Sequence, residues 1–153
     1  MKIERINDDD LDIYVNPYNF KLVACYDKDS LVKFIKDILT KIDIRYKINW
    51  CGFYKIKAYF NSKVGMFLNV IKIDDNDFNN EADYRIILFR NDKFLFETDD
   101  YDIIKDKKNI RFYNNLFYID VEDIDDIIPF IDMGRIIYGD ESKKILLQAK
   151  NLK

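Results

Sequence analysis

Between Tyr54 and Ile73 the hydrophobic and polar positions alternate in a way that predicts two strands folded back on each other. Tyr54, Ile56, Ala58 and Phe60 fall on one face and Lys55 and Lys57 on the other, the period of two expected of a half-buried strand. After a turn at Asn61–Gly65, Met66, Leu68 and Val70 repeat the pattern, while Phe67, Ile71 and Ile73 make the opposite face nearly as apolar. The second arm is therefore expected at the centre of a sheet or against a second layer. A hairpin alone is marginal in water, so neighbouring elements must cover it.

The chain supplies such elements on both sides. Ile3, Ile6, Leu11, Ile13 and Val15, interrupted by the polar run Asn7–Asp10, suit an opening hairpin or bent strand that Asn16-Pro17 breaks. Phe20–Tyr26 reads as a strand or an extended connector. Asp27 or Asp29 can then cap a helix with Leu31, Phe34, Ile35, Ile38, Leu39 and Ile42 at three- and four-residue spacing. That apolar stripe needs a sheet to cover, and the order strand, helix, strand, strand makes an α+β unit.

The polar, acidic run Asp74–Asp83 is the sharpest change of composition and predicts a linker at 75–82 between halves 1–74 and 83–153. A calcium loop starting at Asp75 would need glycine at Asn80 and glutamate at Ile86, and fails at both. Beyond it, Tyr84–Arg90 and Lys93–Glu97 flank Asn91-Asp92 as a tight hairpin would. Thr98–Asp102 can cap a helical turn through Ile103 and Ile104. Asn114-Asn115 tolerates the left-handed conformations of a two-residue turn. That turn pairs Phe112 with Phe117 and Ile110 with Ile119 on one face, Arg111 with Tyr118 and Tyr113 with Leu116 on the other. A helix over Ile127–Tyr138, capped by Asp125 or Asp126, competes with a short strand at Gly134–Tyr138. A last helix from Asp140 carries Ile145, Leu146, Ala149 and Leu152. The expected fold is α+β, two small antiparallel-sheet-plus-helix halves packed together, since about 75 residues each is near the lower limit for independent stability.

Composition narrows the function more than it names it. With 48% hydrophobic residues in 153, the chain can bury a real core. The 28 acidic side chains exceed the 25 basic ones, so the net charge of −3 gives no general attraction to phosphate backbones or anionic lipid. Histidine is absent, which removes the commonest general base and the commonest transition-metal ligand. Cys25 and Cys51 are too few for a disulfide framework or a zinc knuckle and are expected to be small core residues. The charged opening and the lack of a long apolar run predict a cytoplasmic protein with no membrane span.

No glycine-rich phosphate loop, nucleophile elbow or histidine-bearing triad occurs, and the chain has only four glycines. The carboxylates at Asp8–Asp10, Asp99–Asp102 and Glu122–Asp126 could pair as acid and base, but their loop and helix-start positions read better as caps. No catalytic residue, cofactor or metal ligand is assigned. The basic cluster Lys105, Lys107, Lys108 and Arg111, interleaved with Phe112 and Tyr113, is the single feature suggestive of nucleic acid. The outer face of the 110–119 hairpin, with Arg111, Tyr113, Leu116 and Tyr118, is the candidate partner-binding site, because Tyr and Arg concentrate binding energy at protein interfaces.

The opening Met1–Asp8 resembles that of the MecA adaptor family, and the helix Ser30–Ile42 followed by the hairpin Phe53–Ile73 is similar in order. The short acidic helix near Tyr101–Ile104, the hairpin Ile110–Ile119 and the ending Gly134–Ser142 resemble that family's second domain. The resemblance implies a non-enzymatic adaptor whose partners are other proteins, a Clp-type (ClpC) unfoldase and the substrates delivered to it. The alternative reading is a nucleic-acid-associated or phage-type inhibitor protein acting through charged faces, with a carboxylate hydrolase behind both.

Overall fold

The computed structural model describes residues 2–7, 9–17, 27–48, 50–74, 82–90 and 93–152. They form an α+β fold in two compact units, Met1–Arg90 and Asn91–Lys153.

In the first unit, strands β1 (Lys2–Asn7), β2 (Asp10–Val15), β3 (Gly52–Asn61), β4 (Gly65–Asp74) and β5 (Ala82–Arg90) form one sheet in the order β1-β2-β4-β3-β5. Helix α1 (Lys28–Tyr46) begins where the Asp27 carboxylate accepts the Ser30 N–H at 2.9 Å. It ends at Lys47, which takes a left-handed conformation. Its stripe of Leu31, Ile35, Ile38, Leu39 and Ile42 packs on Ile13, Ile56, Ala58 and Leu68. Each such side chain contributes about 1.5–3 kcal/mol before entropy is charged against it. The expected hairpin is present, with Phe60 opposite Met66 and Asn61 opposite Gly65. β4 is central, which explains why both its faces are apolar. Gly65, at φ 128°, is needed there: a Cβ would lie 2.7 Å from the Val15 carbonyl oxygen and from the Tyr14 ring.

β5 departs from expectation. It runs parallel to β3, with Tyr54 opposite Tyr84 and Tyr59 opposite Phe89, and makes no hairpin with the strand that follows. The reason is that Tyr84, Ile86 and Leu88 find partners in the core under α1. The following strand, β6 (Phe94–Thr98), has both its edges taken by other strands. The division between compact units thus falls at Arg90/Asn91 rather than at the 75–82 boundary expected from composition. Residues 75–81 and the Phe20–Tyr26 segment, with Cys25, lie outside the described residues. Cys51 is a correction: it is exposed, on a loop held by the Tyr54 hydroxyl, which donates to the Cys51 carbonyl at 2.9 Å.

In the second unit, β6, β7 (Arg111–Tyr113), β8 (Leu116–Val121), β9 (Arg135–Ile137) and β10 (Lys150–Asn151) form an antiparallel sheet in the order β10-β7-β8-β6-β9. All five residues of β6 are buried. Asp100 and Asp123, not Asp125 or Asp126, cap the short 3-10 turns Tyr101–Ile103 and Ile124–Asp126. The helix expected over 127–138 is instead a 3-10 segment, Ile128–Met133, followed by β9. Phe130 leaves helical geometry at φ −134°, directly after Pro129. Helix α2 (Gly139–Gln148) stops before Ala149, earlier than the apolar spacing to Leu152 predicts, and the chain then pairs with β7.

Candidate interaction surfaces

Asn114 and Asn115 take φ values of 49° and 63°, so the two-residue turn sets the expected register: Arg111 faces Tyr118, Phe112 faces Phe117 and Tyr113 faces Leu116. The four candidate residues do share one face. That face, however, lies under α2: Tyr118 is 2% exposed in a cluster with Leu95, Ile137 and Ile145, and Tyr113 and Leu116 are half-buried against it. The Arg111 guanidinium is spent on Asp120, at 2.8 and 3.4 Å.

In the same layer runs a polar row across four strands, Arg135–Glu97–Tyr118–Arg111. The Tyr118 hydroxyl donates to Glu97 Oε2 at 2.7 Å, and Arg135 Nε donates to Glu97 Oε1 at 2.6 Å. A second Arg135 nitrogen reaches Glu141 of α2 at 2.9 Å. Burial, with the bond to the Glu97 carboxylate behind it, pushes the Tyr118 phenol above its ordinary range. The hydrogen bond to Glu97 raises Arg135 further. At its ends the row is tied to Asp120 through Arg111 and to Glu141 through Arg135, whose side chain is exposed. Two lysines of the basic cluster are also engaged. Lys105 lies 3.8 Å from Asp102, and the Lys107 ammonium donates to the Asp126 carbonyl and sits over the Phe130 ring.

The surface that sequence reasoning missed is on the first unit. No strand pairs with the outer side of β5 among the described residues, and the sheet order ends there. Tyr84, Ile86, Ile87, Leu88 and Phe89 are only half-buried, whereas Ile56 and Ala58 on the neighbouring β3 are fully enclosed. On the face opposite α1 the register builds three rows across β2, β4, β3 and β5. The first is Tyr14–Phe67–Tyr59–Phe89, with Tyr14 stacked on Phe67 at 4.8 Å and Tyr59 on Phe89 at 4.6 Å. The second is Asp12–Asn69–Lys57–Ile87 and the third Asp10–Ile71–Lys55–Arg85.

Charge is segregated along these rows. Asn69 of β4 donates to both Asp10 and Asp12 of β2, and burial followed by the Asp12 charge raises the Asp10 carboxyl above its ordinary value. On β3 and β5, Lys55 stands directly opposite Arg85, and Lys55, Lys57 and Arg85 form no ion pair among the described residues. Like charges directly opposite each other are destabilising. The signal was available in the sequence as Lys55 and Lys57 on one face and the apolar run Ile86–Phe89, but only the pairing of β5 with β3 brings them together.

Among the described residues no helix is long and apolar enough to cross a membrane, and no group of three or more metal-ligating side chains occurs. Comparisons with protein-family models, with curated proteins and with solved structures found no match.

Proposed function

We propose that this protein is a non-enzymatic, cytoplasmic protein-binding module that takes an extended segment of another protein along the outer edge of β5. The observation that carries the reading is the nine-residue edge strand itself, whose Ile86–Phe89 run is half-buried on both faces of the sheet. Such an edge presents unpaired backbone donors and acceptors in a row and is a template for a further strand. The absence of histidine supports a binding role over a catalytic one. Delivery of the captured protein to a Clp-type unfoldase is the use implied by the resemblance of Met1–Asp8 to the MecA adaptor family.

The test uses Ile86→Pro and Ile87→Pro. Successive amides of a strand point to opposite sides, so one of the two removes a hydrogen bond to β3 and the other an outward-facing donor. The variant that stays folded is expected to lose a protein that wild type retains in pull-downs, and alternate β5 amides are expected to exchange more slowly in the wild-type complex. Capture indifferent to the folded β5 variant, or recovery of nucleic acid in place of protein, refutes the reading.

A further inference from the structure

We infer that the segment β5 accepts is acidic on one face and apolar on the other, and that Arg85 with Lys55 selects it. The inference rests on strand addition at β5. A sixth strand beside β5 would send alternate side chains to the two faces of the sheet. On the α1 side its neighbours would be Tyr84, Ile86 and Leu88, which already pack on the core, so apolar residues there extend that core. On the other face its neighbours would be Asp83, Arg85, Ile87 and Phe89.

Arg85 is exposed, and directly across from it stands Lys55, half-buried, so two cations face each other; neither forms an ion pair among the described residues, although Asp83 stands two positions before Arg85 on the same face. The other acids of this face, Asp10 and Asp12, lie on β2, beyond β4, roughly 10 Å from β3 at ordinary strand spacing. A carboxylate on the added strand, opposite Arg85, would relieve that repulsion, whereas a lysine there would place a third cation in the row. Four positions further along the same face, Phe89 is stacked on Tyr59. The occupant is therefore a peptide segment of a partner protein with apolar residues toward α1 and an acid on the opposite face, beside Arg85. With a net charge of −3 the whole molecule does not attract such a segment from a distance, so the selection is local.

The experiment titrates the full chain, followed by backbone amide resonances, with two synthetic peptides of equal length that alternate valine with glutamate and valine with lysine. The glutamate peptide is expected to shift β5 resonances and to weaken as salt is added, and the lysine peptide to bind about tenfold more weakly. Arg85→Glu, on an exposed side chain whose thermal midpoint serves as the folding control, is expected to reverse the preference. Equal binding of both peptides at β5 overturns the charge selection and leaves strand addition standing. No β5 shift with either peptide overturns strand addition itself. Displacement of the glutamate peptide by a single-stranded oligonucleotide overturns the inference in favour of a phosphate-reading face.

Discussion

Removing one hydroxyl tests whether the polar row of the second unit holds the fold or merely decorates it. In Tyr118→Phe the ring keeps its place among Leu95, Ile137 and Ile145, so the apolar packing is preserved. What is lost is the 2.7 Å bond to Glu97 Oε2, on a residue that is itself 8% exposed. A hydrogen bond to a charged group contributes about 1.5–3 kcal/mol. Arg135 still holds Oε1 of the same carboxylate, so the expected loss lies near the lower end, about 1.5–2 kcal/mol. For a chain of this size each kilocalorie lowers the thermal midpoint by roughly 2–4 °C, which gives a shift of about 3–8 °C. Urea unfolding of Tyr118→Phe, Arg135→Met and the double variant measures the coupling directly, and a non-additive term above about 0.5 kcal/mol is expected for groups sharing one carboxylate. If Tyr118→Phe unfolds within about 0.5 kcal/mol of wild type, Glu97 is solvated and the row contributes nothing. The same logic sorts Tyr118→Ala: loss of midpoint is expected, with binding per folded molecule unchanged.

Three further outcomes follow from the geometry. Gly134→Ala would drive a Cβ into the Glu97 carbonyl oxygen and to 2.5 Å from the Phe96 ring, so a loss of about 3 kcal/mol in urea unfolding is expected. Wild-type stability there would show that β9 can shift away. Burial raises Tyr14 and Tyr84 to about 12 from 10.0, so the folded state holds their protons longer than the unfolded state does. Their contribution is complete below pH 10 and is lost as pH rises to 12; phenolate absorbance and unfolding midpoints should report it, and two ordinary titrations would contradict it. The Ser30 backbone N–H holds the Asp27 carboxyl below 3.8, so its stabilisation is present above that pH and fades as pH falls through the lowered value. Asp27→Ala should therefore lower the thermal midpoint at neutral pH and speed amide exchange in the first turn of α1, with the gap to wild type closing in acid; a gap independent of pH contradicts it.

How far the sequence reached depended on the range of the force involved. The stripe of α1, its start at Asp27 or Asp29, the Asn61–Gly65 turn and the register of the 110–119 hairpin were all legible, because each follows from spacing or from dihedral preferences within a few residues. Asn114 and Asn115 decide that Arg111 faces Tyr118 with no information from elsewhere in the chain. The ends of elements were less so. Pro129 and the extended backbone at Gly134 turned an apparent helical spacing over 127–138 into 3-10 turns and a strand.

Only the tertiary structure decided which edge β5 chose and what covered the hairpin. Any strand edge can hydrogen-bond to any other, so Tyr84–Arg90 looked like the partner of the strand just after it, until β6 proved to be enclosed between β8 and β9. Whether Arg111, Tyr113, Leu116 and Tyr118 would meet a partner or a helix depended on where α2, which begins at Gly139, came to rest. Alternation tells a strand which side chains share a face. It does not say what lies on that face, because burial is settled by elements distant in sequence competing for the same apolar surface. The opposition of Lys55 and Arg85 has the same origin: thirty positions apart in the chain, they meet because β5 found its place in the core beside β3.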